Sequence, residues 1–344
     1  VTSRQIVQTG FGGIECLALH NLTEPPEPGP GEVRLRVHVA SAAFTDVIIR
    51  KGMYPDLKEK PPFTPGYDMV GVVDAVGPGV TRLRIGERVA DLTVTGAHAD
   101  HLCLPQERPI PVPEGVTDID ALGMILSAVT PWQMLHRVAG LQAGQSLLIH
   151  GAGGAVGTMM LQLAREAGIT AFGTDVAAKH DLIRSLGATP LSPDLAAGEA
   201  LAATQGGVDA VFDPLGGDSL PRSLGMLKPG GKLVAYGFQN KVSGRGGVVP
   251  IDLLKLACWN WLPNRRATAF YSIGAMRRKH PDWFREDLAM LFSMLQAGRI
   301  APVVAATYPL EEISAAHREI EAGSAPGKIV LQIAEAEAAT ARVA

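Results

Sequence analysis

The sequence predicts an α/β protein of two domains: a compact antiparallel, barrel-like domain, then a parallel sheet wound on both faces. Three observations carry that prediction. Residues 32–41 alternate, with Val33, Leu35, Val37 and Val39 on one side and Arg34, Arg36 and His38 on the other, the period of a strand with one wet face. From residue 146 onward, short apolar strands alternate with short helical segments, the signature of a doubly wound parallel sheet. The chain length of 344 residues suits two domains rather than one or five.

Further strand candidates follow at Val70–Val76, Arg88–Leu92 and Asp100–Leu104, each bounded by Gly or Pro. With 39 Gly and 25 Pro, many short elements and tight turns are expected. The texture changes near residue 120, where Asp120–Ala139 reads as a helix broken at Pro131. Ser146–His150 is then a short apolar strand. Val156, Met159, Met160, Leu163 and Ala167 recur at helical spacing up to Gly168. Thr170–Thr174 (strand), Ala177–Leu186 (helix), Val208–Asp213 (strand), Ser219–Leu227 (helix) and Lys232–Tyr236 (strand) continue the alternation. An amphipathic helix over Trp283–Gln296 and a strand over Lys328–Ile333 are expected to rejoin the first domain. The predicted boundaries are therefore 1–125, 126–265 and 266–344, the last returning to the first domain. The Ala- and Glu-rich tail from Glu335 is expected to fray.

Composition excludes several classes. The formal charge is −3, so no basic excess is available for a phosphate backbone and no nucleic-acid partner is expected. Cys16, Cys103 and Cys258 are odd in number and widely spaced, which argues against a disulfide framework and a cysteine-rich zinc lobe and fits a reducing compartment. The N-terminus lacks a basic segment followed by an apolar run, so no signal peptide is expected. No apolar stretch reaches the length of a transmembrane span. A soluble, cytoplasmic chain is the expectation. The most apolar stretch, Val248–Leu262, is interrupted by Pro250, Asp252, Lys255 and Asn260. Buried core is its expected fate; a lid, a subunit contact or a peripheral membrane-binding patch are the alternatives.

The strongest local signal runs from Leu147 through His150-Gly151-Ala152-Gly153-Gly154-Ala155-Val156-Gly157 into a helix. A strand passing through small residues into a helix N-terminus leaves backbone N–H groups unpaired beside the positive end of the helix dipole, a place for a pyrophosphate. The literal G-x-G-x-x-G pattern is absent; the best register is Ala152-x-Gly154-x-x-Gly157. Asp175, at the end of the next strand, is placed to accept hydrogen bonds from a ribose 2′-OH and to repel a 2′-phosphate, favouring NADH. Lys179 pulls the other way, toward a phosphate and NADPH, and the choice of cofactor stays open. His98, Asp100, His101 and Cys103 have ligand atoms, but on a strand His98 and Asp100 point to one face and His101 and Cys103 to the other, so no metal site is expected there.

These residues resemble the medium-chain dehydrogenase/reductase superfamily, and within it the zinc-independent, zeta-crystallin-like quinone oxidoreductase branch. The resemblance spans nearly the whole chain. It is carried by Pro65-Gly66-Tyr67-Asp68-Met69-Val70-Gly71, Gly86-Glu87-Arg88-Val89, Gly144 through Arg165, Asp213-Pro214-Leu215-Gly216-Gly217, Leu227-Lys228-Pro229-Gly230-Gly231 and Gly327-Lys328-Ile329-Val330-Leu331. It implies a GroES-like, partly open β-barrel catalytic domain and a Rossmann cofactor domain. The chain departs from the branch at Ala155, where glycine is usual, and at Asp175, where a small residue is usual. Zinc-dependent members hold their metal with a Cys-x-Thr-Asp box and a Gly-His-Glu box. Here those positions read Ala43-Phe44-Thr45-Asp46 and Gly66-Tyr67-Asp68, so a methyl and a phenol replace a thiolate and an imidazole and no metal is expected.

Without a Lewis acid, a conjugated acceptor is the substrate the resemblance implies: a quinone or an α,β-unsaturated carbonyl spreads the charge of an incoming hydride itself. Tyr54 matches the tyrosine that lines the substrate cleft in this branch. A phenol, ordinarily titrating at about 10, is protonated at pH 7 and able to stabilise an enolate oxygen. Ala43 and Ile48 replace an asparagine and a tyrosine, which implies an apolar pocket for a small greasy acceptor, and Tyr67 is a second candidate donor. For the cofactor, the resemblance implies Thr130 near the nicotinamide, the turn Gly154, Ala155, Val156 and Gly157, and the loops carrying Leu215, Gly216, Gly237 and Phe238. It also implies a homodimer paired through a strand at Thr268–Ser272. Two other functions compete: an enoyl-thioester reductase, and a nucleotide-binding protein of low activity with a structural or membrane-associated role.

Overall fold

The computed structural model describes residues 2–334 apart from 56, 195–197, 200, 203–205, 262 and 264. The tail from Glu335 lies outside the described residues. The chain divides into two compact units, Val1–Ile125 with Val304–Ala344, and Leu126–Val303.

In the first unit β1 (Ser3–Gln8) pairs antiparallel with β2 (Leu17–Leu22). β3 (Glu32–Ala42) is followed by α1 (Phe44–Arg50), β4 (Met69–Val76), β5 (Arg88–Asp91), β6 (His101–Pro105) and β7 (Ile110–Pro111). β3 is the hub, antiparallel to both β4 and β6. Its predicted alternation holds through Val33, Leu35 and Val37, which enter the core. The register against β4 then shifts between Val37 and Val39, and Ala40 and Ala42 rather than Val39 join that core. Such a bulge moves every later side chain to the opposite face.

α2 (Asp118–Trp132) leads into the second unit. Pro131 does not break it: the helix continues as a π-helical turn, Gln133–Ala139, and ends at Gly140 in the left-handed conformation. Proline removes one N–H from the ladder, and a widened turn accommodates the missing bond. There follow β8 (Ser146–His150), α3 (Ala155–Glu166), β9 (Thr170–Thr174), α4 (His180–Ser185), β10 (Thr189–Leu191), β11 (Val208–Asp213), α5 (Ser219–Gly225), β12 (Leu227–Ala235), α6 (Gln239–Val242), α7 (Val249–Trp259), β13 (Ala267–Phe270), α8 (Ile273–Lys279) and α9 (Pro281–Gln296). The six strands are parallel in the order β10-β9-β8-β11-β12-β13. The order reverses between β8 and β11, the switch point where open sheets of this kind hold ligands beyond their strand ends.

Two expectations need correction. The return to the first unit comes at Val303/Val304, not at 265/266. β13 is the sixth strand of the parallel sheet, and α9 is tied to the start of the same unit by Asp287, which accepts from Trp132, Gln133 and Arg137 at 2.7–3.1 Å. The apolar stretch after Val248 is not core throughout. In α7 Leu256 is buried, but Ile251 is 50% and Leu254 64% exposed, and Trp261 beyond it is 89% exposed. None of the described helices is long and apolar enough to cross a membrane. The chain then returns through β14 (Val304–Pro309), α10 (Ile313–Ala322) and β15 (Lys328–Gln332), which extend the first sheet to β14-β15-β3-β4-β5-β7 with β6 on β3.

Candidate active site

At the switch point of the second unit, β8 runs through Gly151–Gly154 into α3. Gly154 is the extended residue before the helix and supplies no side-chain cap. The N–H groups of Ala155, Val156 and Gly157 have no hydrogen-bond partner among the described residues. They add to the positive end of the helix dipole. A Cβ on Gly157 would lie 2.5 Å from the Gly151 carbonyl oxygen and 2.6 Å from the Ala152 Cα, so the turn closes too tightly for any side chain there. Three uncapped donors on a glycine-rich turn fit a diphosphate group. Ala155 opens α3, where a methyl is compatible with helical backbone.

Asp175 does not present a free carboxylate to a ribose. Its Oδ2 accepts from Gly153 N–H at 2.8 Å and its Oδ1 from Val176 N–H at 2.8 Å. Lys179 Nζ lies 3.7 Å from Oδ1, and both side chains are largely buried. The physical reason is local: the glycine turn has amides to satisfy, and the nearest anion turns back on them. Asp175 thus braces the loop, and Lys179 offsets its charge. Leu215 and Gly216 donate their N–H groups to Asp213 Oδ1 at 2.7 and 3.1 Å. Their carbonyls accept from Asn240, at 2.9 Å from its backbone and 3.1 Å from its side chain, joining this loop to the one after β12. That second loop holds Gly237 and Phe238, whose ring stacks on Phe270 with centroids 4.9 Å apart. Thr130 is buried on α2.

In the first unit the fold brings two phenols together. Tyr54 follows α1 and Tyr67 precedes β4; their hydroxyls are 2.6 Å apart and their rings meet edge to face at 5.8 Å. Tyr67 is buried and Tyr54 half-buried. Ala43 caps α1, its N–H donating to Asp46 Oδ2 at 2.8 Å, and Ile48 lies half-buried on the same helix. Burial pushes the Asp46 carboxyl up to about 8. Asp68 Oδ2 and Lys328 Nζ form a buried ion pair at 3.2 Å. Sequence reading did not single out Asp46, Asp68 or Lys328 as a group; they converge only when β15 pairs with β3. The predicted divergence of His98, Asp100, His101 and Cys103 is visible in their partners. His98 meets the Ser41 carbonyl, Asp100 pairs with Arg4, His101 meets Ser3, and the Cys103 thiol points to the Pro26 carbonyl. Among the described residues, no three His, Cys, Asp or Glu side chains are grouped to hold a metal ion.

Residues 29–114 match the family described as "Alcohol dehydrogenase GroES-like domain", and residues 186–331 match "Zinc-binding dehydrogenase". The human synaptic vesicle membrane protein VAT-1 homolog is 32% identical over 343 residues, covering 95% of this chain and 86% of that protein. The chain belongs to the medium-chain dehydrogenase/reductase superfamily, in its zeta-crystallin-like quinone oxidoreductase branch. It is an oxidoreductase of that superfamily. A 2-haloacrylate reductase from a Burkholderia species is 32% identical over 320 residues, covering 88% of this chain and 91% of its own. The crystal structure of Escherichia coli quinone oxidoreductase complexed with NADPH superposes with a TM-score of 0.85 at 25% identity, covering 96% of this chain and 100% of that one. The second family description mentions zinc, yet the two ligand positions here carry the methyl of Ala43 and the phenol of Tyr67, which are not zinc ligands.

Proposed function

We propose that this chain reduces quinones or α,β-unsaturated carbonyls, with Tyr54 as proton donor and NADH or NADPH held at the glycine turn. The observation that carries the proposal is the Tyr54–Tyr67 hydroxyl pair, 2.6 Å apart, with Tyr67 at the position where the Gly-His-Glu box of zinc-dependent members has its histidine. When bound, the nicotinamide supplies the hydride. The turn at Gly154–Gly157 would hold the diphosphate on its three open amides, and Thr130 and the loops at Leu215–Gly216 and Gly237–Phe238 would hold the nicotinamide end. Tyr54 donates its phenolic proton to the acceptor oxygen as negative charge builds there. Tyr67 is then in position to donate to the Tyr54 oxygen, so the charge left on that phenol is not stranded. Ala43 and Ile48 leave the pocket apolar, suiting a small greasy acceptor.

The 2-haloacrylate reductase and the NADPH-bound quinone oxidoreductase support the substrate class and the cofactor. A homodimer belongs to the same proposal, with β13 as the edge strand of the parallel sheet. The test is oxidation of NADH and NADPH against quinones, alkenals and enoyl thioesters, with Tyr54→Phe alongside. Turnover of quinones or alkenals that falls in Tyr54→Phe supports the proposal. Exclusive turnover of enoyl thioesters selects that narrower reductase, and tight dinucleotide binding without turnover of any acceptor overturns the catalytic reading.

A further inference from the structure

We propose that His150 is a positioning residue that locks the glycine turn, with its open amides, to the loop after β11, so that the two loops are held in one fixed relation around a dinucleotide. It rests on the reading that these two loops hold that cofactor. His150 is the last residue of β8, directly before the turn, and is buried. Its Nδ1 lies 2.9 Å from Thr174 Oγ1 at the end of β9, and its Nε2 lies 3.1 Å from Ser223 Oγ on α5. Ser223 Oγ is in turn 2.7 Å from Asp213 Oδ2 at the end of β11, and Ser219 donates to the same oxygen. Thr174, Ser219, Ser223 and Asp213 are all buried.

Burial favours the neutral imidazole of His150, and for that form the donors and acceptors leave one consistent assignment. Asp213 takes Leu215 and Gly216 amides on one oxygen and two serine hydroxyls on the other, filling the four acceptor sites of a carboxylate. Ser223 has a single hydroxyl proton, and it is committed to Asp213; two oxygens 2.7 Å apart with no proton between them would repel. Ser223 therefore accepts from His150, which fixes the imidazole as the Nε2–H tautomer. Nδ1 is then an acceptor, and Thr174 donates to it. The chain of donors runs from Thr174 through His150 and Ser223 to Asp213, all pointing toward the carboxylate that caps Leu215 and Gly216.

This network spans the point where the strand order reverses, linking the ends of β8, β9 and β11. Thr174 precedes Asp175, whose carboxylate braces Gly153, so the same network reaches the turn by two routes. Five buried polar side chains at one place are costly unless all are satisfied, and satisfied they hold a single geometry. An apolar residue at position 150 would fill the volume but leave Thr174 and Ser223 without this partner. Sequence reading passed over His150 because its partners lie 24 and 73 residues away.

The test compares His150→Leu, Ser223→Ala, their double variant and His150→Gln with the wild-type chain. NADPH dissociation constants, thermal midpoints and acceptor KM values are measured, together with the ¹⁵N spectrum of the wild-type imidazole. The expected result is a rise of roughly tenfold in the NADPH dissociation constant for either single variant, an unchanged acceptor KM, and a double variant no weaker than the worse single one. Gln keeps an N–H donor near Ser223, so His150→Gln recovers most of the affinity, and the wild-type spectrum shows a neutral Nε2–H imidazole. Folded single variants that bind NADPH like the wild type, losing only thermal stability, overturn the proposal, as does an Nδ1–H tautomer. Ser223→Ala removes one hydroxyl and keeps the test valid if His150→Leu fails to fold. A wild-type chain that binds neither dinucleotide instead overturns the assignment of the loops, a result separate from variants that match the wild type.

Discussion

Replacing Tyr67 by Phe deletes one oxygen and keeps a buried ring in place. The lost hydroxyl sits 2.6 Å from that of Tyr54, at the short end of the range for O–H···O bonds. In the resting state such a bond contributes about 0.5–1.5 kcal/mol, so Tyr67→Phe lowers stability by no more than that. When Tyr54 has given up its proton, the same contact becomes a hydrogen bond to an anion, worth about 1.5–3 kcal/mol. The difference appears in the transition state, and Tyr67→Phe lowers kcat for a simple enone roughly 10- to 100-fold with little change in KM. Tyr54→Phe removes the donor itself and costs about 10²- to 10⁴-fold. The two act on one proton, so the double variant is no slower than Tyr54→Phe. The assay is steady-state NADPH oxidation, with a thermal melt on each variant. Full kcat in Tyr67→Phe, or a double variant whose loss is the product of the single losses, refutes the dyad.

Other perturbations have equally definite signs. Lys179→Met leaves the Asp175 carboxylate without its counter-charge, so repulsion of a 2′-phosphate shifts the ratio of kcat/KM for NADPH over NADH downward by about tenfold, whereas Asp175→Asn shifts it upward; a ratio that moves less than twofold in both shows that neither charge acts on the 2′ position. Burial lowers His98 to about 4 and His317 to about 3, so the unfolded chain binds protons on these histidines below about pH 6.5 that the folded chain refuses. Each therefore costs about 2 kcal/mol of stability on going from pH 7 to pH 5, and His98→Gln gains about that much relative to the wild type over the same change in denaturant titrations. Asp46 works in the opposite sense. Its folded pKa of about 8 makes its contribution greatest below the ordinary carboxylate range and lost as pH rises through 8, so Asp46→Asn loses roughly 2–3 kcal/mol relative to the wild type between pH 7 and pH 5. Gly157→Ala forces a methyl to within 2.6 Å of backbone atoms, destabilises the second unit by about 1–3 kcal/mol and weakens dinucleotide binding, measured by melting and by fluorescence titration.

The parallel sheet was legible because its strands are short apolar runs between glycines: Ser146–His150, Thr170–Thr174 and Val208–Asp213 have the bounds the sequence predicts. Elements held by partners distant in sequence were not. β2 (Leu17–Leu22) exposes several of its side chains and shows no clean alternation, and α1 carries Val47, Ile48 and Ile49, which read equally as strand. The later boundary at Val303/Val304 escaped because β13 is four residues long and gains its place only by pairing with β12. At the candidate site, the glycine turn was legible as a strand running into a helix, since what its backbone leaves open is set locally. Tyr54 and Tyr67 were separate candidates, and only the fold between them makes them a pair. Asp175 had the residue type for a ribose contact, but the amides of Gly153 and Val176 compete for its oxygens, and that competition is not written in spacing.

The central claim is that a metal-free site delivers hydride to the far carbon of a conjugated acceptor while a tyrosine supplies the proton. Chelator-treated protein, NADPH deuterated at the transferable position and an α,β-unsaturated ketone test it together, with the product read by NMR. Deuterium at the β-carbon, with the carbonyl retained, is the predicted outcome. Deuterium on the carbonyl carbon of an allylic alcohol, or turnover that returns only when zinc is restored, contradicts it.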